Sequence, residues 1–147
     1  EHLTSFQEEI EYIASYLNQI GKEKSVLKEI CLVARTHELL RQYEGALNAK
    51  GFFTYFLRRS EAEDRRKEGL RLATMHRVKG LEFDVVIIAG VNDGIVPLEL
   101  DANPSSDPVI RIERENRERA LLYVAATRAK KEVVVTSFGK KSPYLSQ

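Results

Sequence analysis

The chain has 147 residues, of which 43% are hydrophobic, and this length predicts one domain with a substantial core over residues 1–147. Lys and Arg number 23 against 22 Asp and Glu, which excludes a protein that coats nucleic acid through bulk positive charge. Cys31 is the single cysteine, so an intrachain disulfide is excluded and a reducing compartment fits. No run of about 18 apolar residues is present, and we expect a cytoplasmic protein with no membrane partner. The chain begins with Glu1 rather than Met, which suggests a piece of a longer protein.

Helix and strand patterns alternate along the first half of the chain. Apolar residues at spacings of three and four indicate amphipathic helices, and uninterrupted short apolar runs indicate buried strands. The predicted elements are a helix from Phe6 to Ile20 with Ser5 as its cap, a strand from Ile30 to Ala34, a helix that stops at Gly51 and a strand from Phe53 to Leu57. One face of the second helix carries Leu39, Leu40, Tyr43 and Leu47. This order predicts parallel strands joined by crossover helices.

Residues 58–71 carry charges of both signs without an apolar period, which predicts a solvated loop or a frayed helix. The basic cluster Arg65, Arg66 and Lys67 could contact phosphate, although a solvated surface is the simpler interpretation. The second half then predicts a strand at 70–74, a buried strand at 85–89, a loop at 98–108, a helix from Ile112 and a final strand at 132–137.

Polar side chains crowd together just before the most apolar strand. The cluster consists of His76, Arg77, Lys79, Gly80 and Glu82. Ligands collect at strand ends in open α/β sheets, and a glycine lets the backbone approach a ligand closely, so this cluster predicts a binding surface. Each residue taken alone also has a structural explanation, such as a solvated charge for Glu82.

The segment TMHRVKGLEF, residues 74–83, resembles the fifth conserved motif of UvrD/Rep-like superfamily I DNA helicases, which reads T-x-H-x-x-K-G-L-E-F before a buried strand. The matching positions are Thr74, His76, Lys79, Gly80, Leu81, Glu82 and Phe83. The following GVNDGIVP resembles the continuation of that motif at Gly90, Gly94 and Pro97.

Two further segments resemble motifs of the same family, in the family's order. RERALLYVAATRA, residues 117–129, is similar to the sixth motif, E-R-R-L-x-Y-V-A-x-T-R-A, with Ala120 where the second arginine of the motif stands. The strand that ends in Arg35 and the helix after it resemble the fourth motif more loosely. Together the motifs imply a helicase C-terminal domain with a RecA-like α/β fold, that is, a parallel sheet flanked by helices.

The resemblance implies roles for residues that would contact ATP. Arg35 and Arg128 would be arginine fingers, because a guanidinium can hydrogen-bond two oxygens of a phosphoryl group that gains charge. Glu82, together with Gly80, would contact the nucleotide, with the Glu82 carboxylate accepting a hydrogen bond from the sugar. The two arginines would then have to converge at one edge of the sheet.

The same resemblance implies contacts to single-stranded DNA by Thr74, His76 and Lys79. Tyr55, Tyr123 and Tyr144 are candidate stacking groups, and core packing is the preferred interpretation for the first two.

No segment reads G-x-x-x-x-G-K-[ST], and no apolar strand ends in paired acidic residues that would hold magnesium. We therefore expect ATP and Mg²⁺ to be bound in a full-length enzyme with an N-terminal RecA-like domain, and the isolated chain to be inactive as an ATPase. In the family an accessory subdomain is inserted near 58–70, where this chain has only its charged loop. Two alternatives stay open: a non-catalytic helicase-like module that binds DNA or protein, and a helicase–nuclease subunit whose nuclease residues lie elsewhere.

Overall fold

The computed structural model describes residues 1–21, 24–58, 61–98 and 107–145. Its strands are β1 (His2–Leu3), β2 (Ile30–Ala34), β3 (Thr54–Phe56), β4 (Leu70–Thr74), β5 (Phe83–Ile88), β6 (Ala129–Val135) and β7 (Ser137–Phe138). Its α-helices are α1 (Phe6–Ile20), α2 (Lys24–Leu27), α3 (His37–Ala49) and α4 (Pro108–Ala126), and a 3₁₀ turn spans Pro143–Leu145. Most of the predicted loop at 98–108 lies outside the described residues.

Five strands form one parallel sheet in the spatial order β3-β4-β2-β5-β6. The strands β2 and β4 lie inside the sheet and are buried at every position. This burial on both faces explains the continuous apolar run of β2. The predicted α/β fold, a parallel sheet flanked by helices, is confirmed. A separate two-stranded parallel sheet pairs β1 with β7 near the N-terminus.

Helices cover both faces of the sheet. On one face α1 and α3 pack their apolar stripes against alternate residues of β2, such as Leu32 and Ala34. On the other face α4 and the turn after β4 pack against Cys31 and Val33. The alternation follows from the strand period of two, because successive side chains point to opposite faces.

The sheet has two ends at which loops and polar side chains gather. At the carboxyl edge, β2, β4 and β5 end, and the chain continues into Arg35, Met75 and Ala89. At the amino edge, β5 and β6 begin, directly after Glu82 and Arg128. The two edges are separated by the full length of the strands because all five strands run in the same direction.

The charged segment 58–71 is exposed at most of its described positions, as predicted, but it ends in one buried charge. Arg71 lies inside β4 and is completely buried, with its Nε 2.6 Å from Glu63 Oε2 and its other nitrogens bonded to the carbonyl oxygens of Gly69 and Asp64. Its guanidinium carbon lies 4.8 Å from the ring centroid of Tyr55. The loop therefore folds back over a buried arginine, because a buried charge must be paired and fully hydrogen-bonded.

Candidate functional site at the carboxyl edge

A cleft of about 690 Å³ opens at the carboxyl edge of the sheet. Its lining residues are Arg35, Thr36, His37, Thr74, His76, Arg77 and Lys79. The structure thus brings together the three predicted DNA contacts, and it places Arg35 beside them. Thr36 and His37 were missed by the sequence interpretation, although their position directly after a buried strand that ends in arginine was a usable signal.

The turn after β4 places the basic side chains in this cleft. Thr74 ends the strand, and both its carbonyl and its hydroxyl accept the backbone N–H of Arg77, at 3.1 and 3.2 Å. Within the turn Met75 and Val78 are buried in the core, whereas His76 and Lys79 are exposed. The apolar residues therefore anchor the turn, and its basic side chains lie at the surface of the cleft.

The cleft is positively charged because the described residues that line it include cations and no carboxylate. The guanidinium of Arg77 donates to the carbonyl oxygens of Arg58 and Glu61, at 2.9 and 2.8 Å, and these neutral acceptors leave its charge uncompensated. Lys79 is exposed, and no carboxylate of the described residues forms an ion pair with it. A flexible ammonium and a fixed guanidinium together suit an anion such as phosphate.

Arg35 is held by an internal ion pair at the rim of the cleft. Its Nε and Nη2 donate to the two carboxylate oxygens of Glu118 on α4, at 2.9 and 2.8 Å. The side chains are 13% and 7% exposed, and the backbone N–H of Leu98 donates to the same carboxylate at 3.3 Å. This pair fastens α4 to the end of β2. Glu118 was not identified from the sequence, because its partner lies 83 residues away.

The expectation that Arg35 and Arg128 converge at one edge is wrong. Arg35 follows β2, two residues after Val33, which is opposite Ile88 in the sheet. Arg128 precedes β6, and its carbonyl accepts the N–H of Phe83 at the start of β5, at 2.9 Å. Arg35 is thus about seven strand residues further along than Arg128, or roughly 23 Å at 3.3 Å per residue. The cause is topological, because Arg35 directly follows the end of β2 and Arg128 directly precedes the start of β6.

The amino edge carries the other predicted nucleotide contacts. Glu82 is exposed and immediately precedes β5, while Arg128 immediately precedes the neighbouring strand β6. The guanidinium of Arg128 bonds only weakly within the described part of the chain, to the Val124 carbonyl and the Thr127 hydroxyl, each at 3.3 Å. Gly80, at φ +85°, ends the turn that leads to this edge, and a Cβ atom there would meet no heavy atom within 4 Å beyond its chain neighbours.

Metal-binding and membrane-spanning features are both missing from the described residues. No group of three or more His, Cys, Asp or Glu side chains among them is arranged to hold a metal ion. None of the helices within the described ranges combines the length and the apolar character needed to cross a bilayer.

Comparison with known families shows which family the chain belongs to. Residues 52–140 match the family model of the UvrD-like helicase C-terminal domain. The chain belongs to this family. The predicted family is therefore confirmed, and the matched range contains the whole segment from Thr74 to Glu82 as well as Arg128. Arg35 lies outside that range, so its assignment to the fourth motif stays a prediction.

Relatives of this UvrD-like domain are named as helicases. ATP-dependent DNA helicase UvrD2 of Mycobacterium tuberculosis strain H37Rv is 37% identical over 101 residues, which is 67% of this chain and 14% of the relative. ATP-dependent DNA helicase PcrA of Bacillus subtilis is 35% identical over 81 residues, which is 55% of this chain and 10% of the relative. The chain thus spans only a small part of these relatives.

A solved structure of another protein shows the same fold. The C-terminal domain of a possible DNA helicase from Lactobacillus plantarum WCFS1 superimposes with a TM-score of 0.69 at 20% identity, and the match covers 99% of this chain and 76% of that one. This likeness supports the predicted RecA-like fold class.

Proposed function

We propose that the chain is the C-terminal motor domain of an ATP-dependent DNA helicase or translocase, with DNA at the carboxyl edge and nucleotide at the amino edge. One observation carries this proposal: the nine-residue segment 74–82 runs from the lining of the basic cleft to the edge where Glu82 and Arg128 directly precede the paired strands β5 and β6. A segment that extends from one site to the other can transmit a structural change between them.

At the carboxyl edge the proposed ligand is the sugar-phosphate backbone of single-stranded DNA. Lys79 and Arg77 supply charge to phosphates, while Thr74 and His76 supply polar contacts at the rim of the turn. The cleft contains no feature that distinguishes one base from another, so binding there is expected to be indifferent to sequence and strongly dependent on salt.

At the amino edge the proposed ligand is ATP, shared with an N-terminal RecA-like domain of the parent protein. When bound, ATP supplies a phosphoryl group whose transfer to water places negative charge on its oxygens. The Arg128 guanidinium, held only by weak neutral acceptors, is available to stabilise that charge, and the exposed Glu82 carboxylate is available to a sugar hydroxyl. The described residues offer no metal site, so Mg²⁺ would be bound by the other domain.

Translocation would result from a difference in affinity between two domain arrangements. A nucleotide that contacts both domains favours the closed arrangement, and its hydrolysis removes that preference. The side chains of the turn 74–80 that contact DNA would then move together with this domain. Arg35 is proposed as a positioning residue for α4 rather than as an arginine finger, because its guanidinium is already engaged by Glu118.

The test uses Arg128→Ala in the full-length parent protein, with DNA-stimulated ATP hydrolysis as the measurement. Loss of an arginine finger lowers kcat by about 10³-fold or more. Lys130→Ala, at an exposed position two residues further on, is the matched control and is expected to keep normal turnover. Near-normal turnover of the Arg128→Ala protein would remove this residue from the mechanism.

A non-catalytic DNA-binding module is the second candidate, and the basic cleft favours it because that cleft lies entirely within this chain. Under this alternative the parent protein binds single-stranded DNA but shows no ATP turnover that DNA stimulates.

A further inference from the structure

A second pocket of about 350 Å³ adjoins the basic cleft and shares His37 with it. Its lining residues are His37, Arg41, Glu44, Phe56, Arg58 and Glu61. Its composition differs from that of the cleft, because it combines two rings with charges of both signs. The pocket therefore suits a different part of a ligand from the part that the cleft holds.

The rings in this pocket form a preorganised stack. The imidazole of His37 lies on the Phe56 ring with centroids 5.7 Å apart and an angle of 13° between the planes. Phe56 on β3 packs against the hydrophobic core, so it fixes the plane of the His37 ring. The guanidinium of Arg41 lies 5.8 Å from the same Phe56 centroid. Because His37 is exposed, the outer face of its ring is available for a third flat group.

The charged groups around the stack suit the edge of a nucleobase better than a phosphate. Arg41 and Arg58 are donors only, whereas Glu44 and Glu61 are acceptors only. The two carboxylates offset the two guanidinium groups, so the pocket has no net positive charge to attract a phosphate. A nucleobase displays both donors and acceptors on its edge, so it can use both kinds of partner.

The two cavities also share a wall that is fixed by hydrogen bonds. Arg77, which lines the basic cleft, donates to the carbonyl oxygens of Arg58 and Glu61, which line the second pocket. His37 stands between the cavities and lines both. A strand whose phosphates lie in the cleft therefore has an adjacent position in which one base can reach His37.

We propose that the second pocket is a nucleobase subsite, in which one base of the bound strand stacks on His37 and hydrogen-bonds to the surrounding charged side chains. This inference rests on the proposed function, since it takes the ligand of the cleft to be single-stranded DNA. It adds a stacking contact to a cleft that otherwise provides only backbone contacts.

The experiment measures binding to the full-length parent protein by fluorescence anisotropy. Two probes of equal length are compared, oligothymidylate and an abasic deoxyribose-phosphate oligomer, with wild type, His37→Ala, His37→Phe and Lys79→Ala. Loss of one stacked base is expected to cost about five- to tenfold in affinity. The wild-type preference for oligothymidylate should therefore fall by about this factor in His37→Ala and be retained in His37→Phe.

Lys79→Ala separates this inference from the proposed function. It is expected to weaken both probes equally and to leave the preference for thymidylate unchanged, because a phosphate contact does not sense the base. If Lys79→Ala weakens binding while His37→Ala keeps the full wild-type preference, the nucleobase subsite is refuted and the DNA cleft stands. If Lys79→Ala leaves the affinity for both probes unchanged, the DNA cleft itself is refuted, and the subsite with it.

Discussion

At the scale of single residues, the most informative side chain is the buried carboxylate of Glu9. It accepts hydrogen bonds from the Gly90 backbone N–H at 3.0 Å, from the Thr136 hydroxyl at 2.7 Å and from the Tyr43 hydroxyl. These donors come from the ends of β5 and β6 and from the middle of α3. One carboxylate therefore fixes α1 to the carboxyl edge, on the face opposite α4.

Replacing Glu9 with Gln tests this arrangement. The amide keeps the shape of the side chain but exchanges an acceptor oxygen for an NH₂ group, which would face donors. The free energy of unfolding should fall by about 1–3 kcal/mol, as for a buried unsatisfied polar group. Urea denaturation of the 147-residue chain measures it. Glu11→Gln, at an exposed position, is the control and should change it by less than about 0.5 kcal/mol. Equal decreases in the free energy of unfolding of the two variants would show that the Glu9 contacts do not stabilise the fold more than an exposed contact does.

The tyrosine in this network predicts a loss of stability at alkaline pH. Burial, reinforced by the adjacent Glu9 carboxylate, raises the pKa of Tyr43 well above its ordinary value of 10.0. The unfolded chain releases the phenolic proton near pH 10 while the folded chain retains it, so ionisation stabilises the unfolded state as the pH rises above 10. Stability should therefore fall by about 1.4 kcal/mol per pH unit from this residue.

The measurement is a series of urea denaturation curves from neutral pH to about pH 11. Tyr43→Phe lowers stability at neutral pH but should show a shallower decline above pH 10. Some decline should remain, because burial also raises the pKa of Tyr16 to about 12. Parallel curves for wild type and Tyr43→Phe would show that Tyr43 does not titrate differently in the folded and unfolded states.

These residue-scale features could not be predicted from the sequence. Glu9 lies in the first turn of α1, where an acidic residue is ordinarily a solvated neighbour of the helix N-terminus, and two of its partners are 81 and 127 residues away. Tyr123 was predicted to pack in the core but is 71% exposed, because the buried side of α4 near it is formed by Ala125.

At the scale of elements, α4 packs apolar residues near its C-terminal end against the core, where Ala125 is buried and Leu121, Leu122 and Ala126 are partly buried. Its buried residues are only Glu118 and Ala125, and Val109, Ile110 and Ile112 near its start are exposed. The bidentate pair between Arg35 and Glu118 is therefore a principal attachment of its central turns to β2.

Removing one partner of this pair should free the helix. Glu118→Ala leaves the Arg35 guanidinium without its carboxylate at a largely buried position, and the expected loss is roughly 2–4 kcal/mol in the free energy of unfolding. The exposed pair between Lys50 and Glu11 supplies the comparison, because Lys50→Ala should cost under about 1 kcal/mol. The double variant Arg35→Met, Glu118→Met should recover much of the loss. A Glu118→Ala loss no larger than that of Lys50→Ala would contradict this role of the pair.

The predictability of each element depended on its burial. The runs at 30–34 and 70–74 were predicted with the boundaries that the structure shows. Both strands are buried inside the parallel sheet, and 30–34 is apolar without interruption, whereas 70–74 also includes the buried Arg71. The last strand was predicted at 132–137, but β6 spans Ala129–Val135 and β7 begins after one further residue. Near the start of β6, Lys130, Lys131 and Glu132 are charged and exposed at the margin of the sheet, where apolar patterning carries little information.

At the scale of the whole molecule, the two proposed binding edges are separated by the length of the sheet. Sequence motifs predicted several residues at each edge and the family to which the chain belongs, but they missed Thr36 and His37. They could not show that Arg35 and Arg128 lie at opposite edges, because strand direction and strand order are properties of the folded sheet. Arg35 was consequently grouped with the nucleotide, whereas the structure places it in the lining of the basic cleft.

The most direct test of this separation is the affinity of the full-length parent protein for single-stranded DNA without nucleotide, measured against salt concentration for Arg128→Ala and Lys79→Ala. Arg128→Ala should bind DNA like wild type, with the same salt dependence, because its guanidinium lies at the amino edge. Lys79→Ala should bind more weakly, and the slope of log K against log salt should shrink by about 0.7, as for one lost phosphate contact. A loss of DNA affinity in Arg128→Ala as large as that in Lys79→Ala would contradict the assignment of the two ligands to opposite edges.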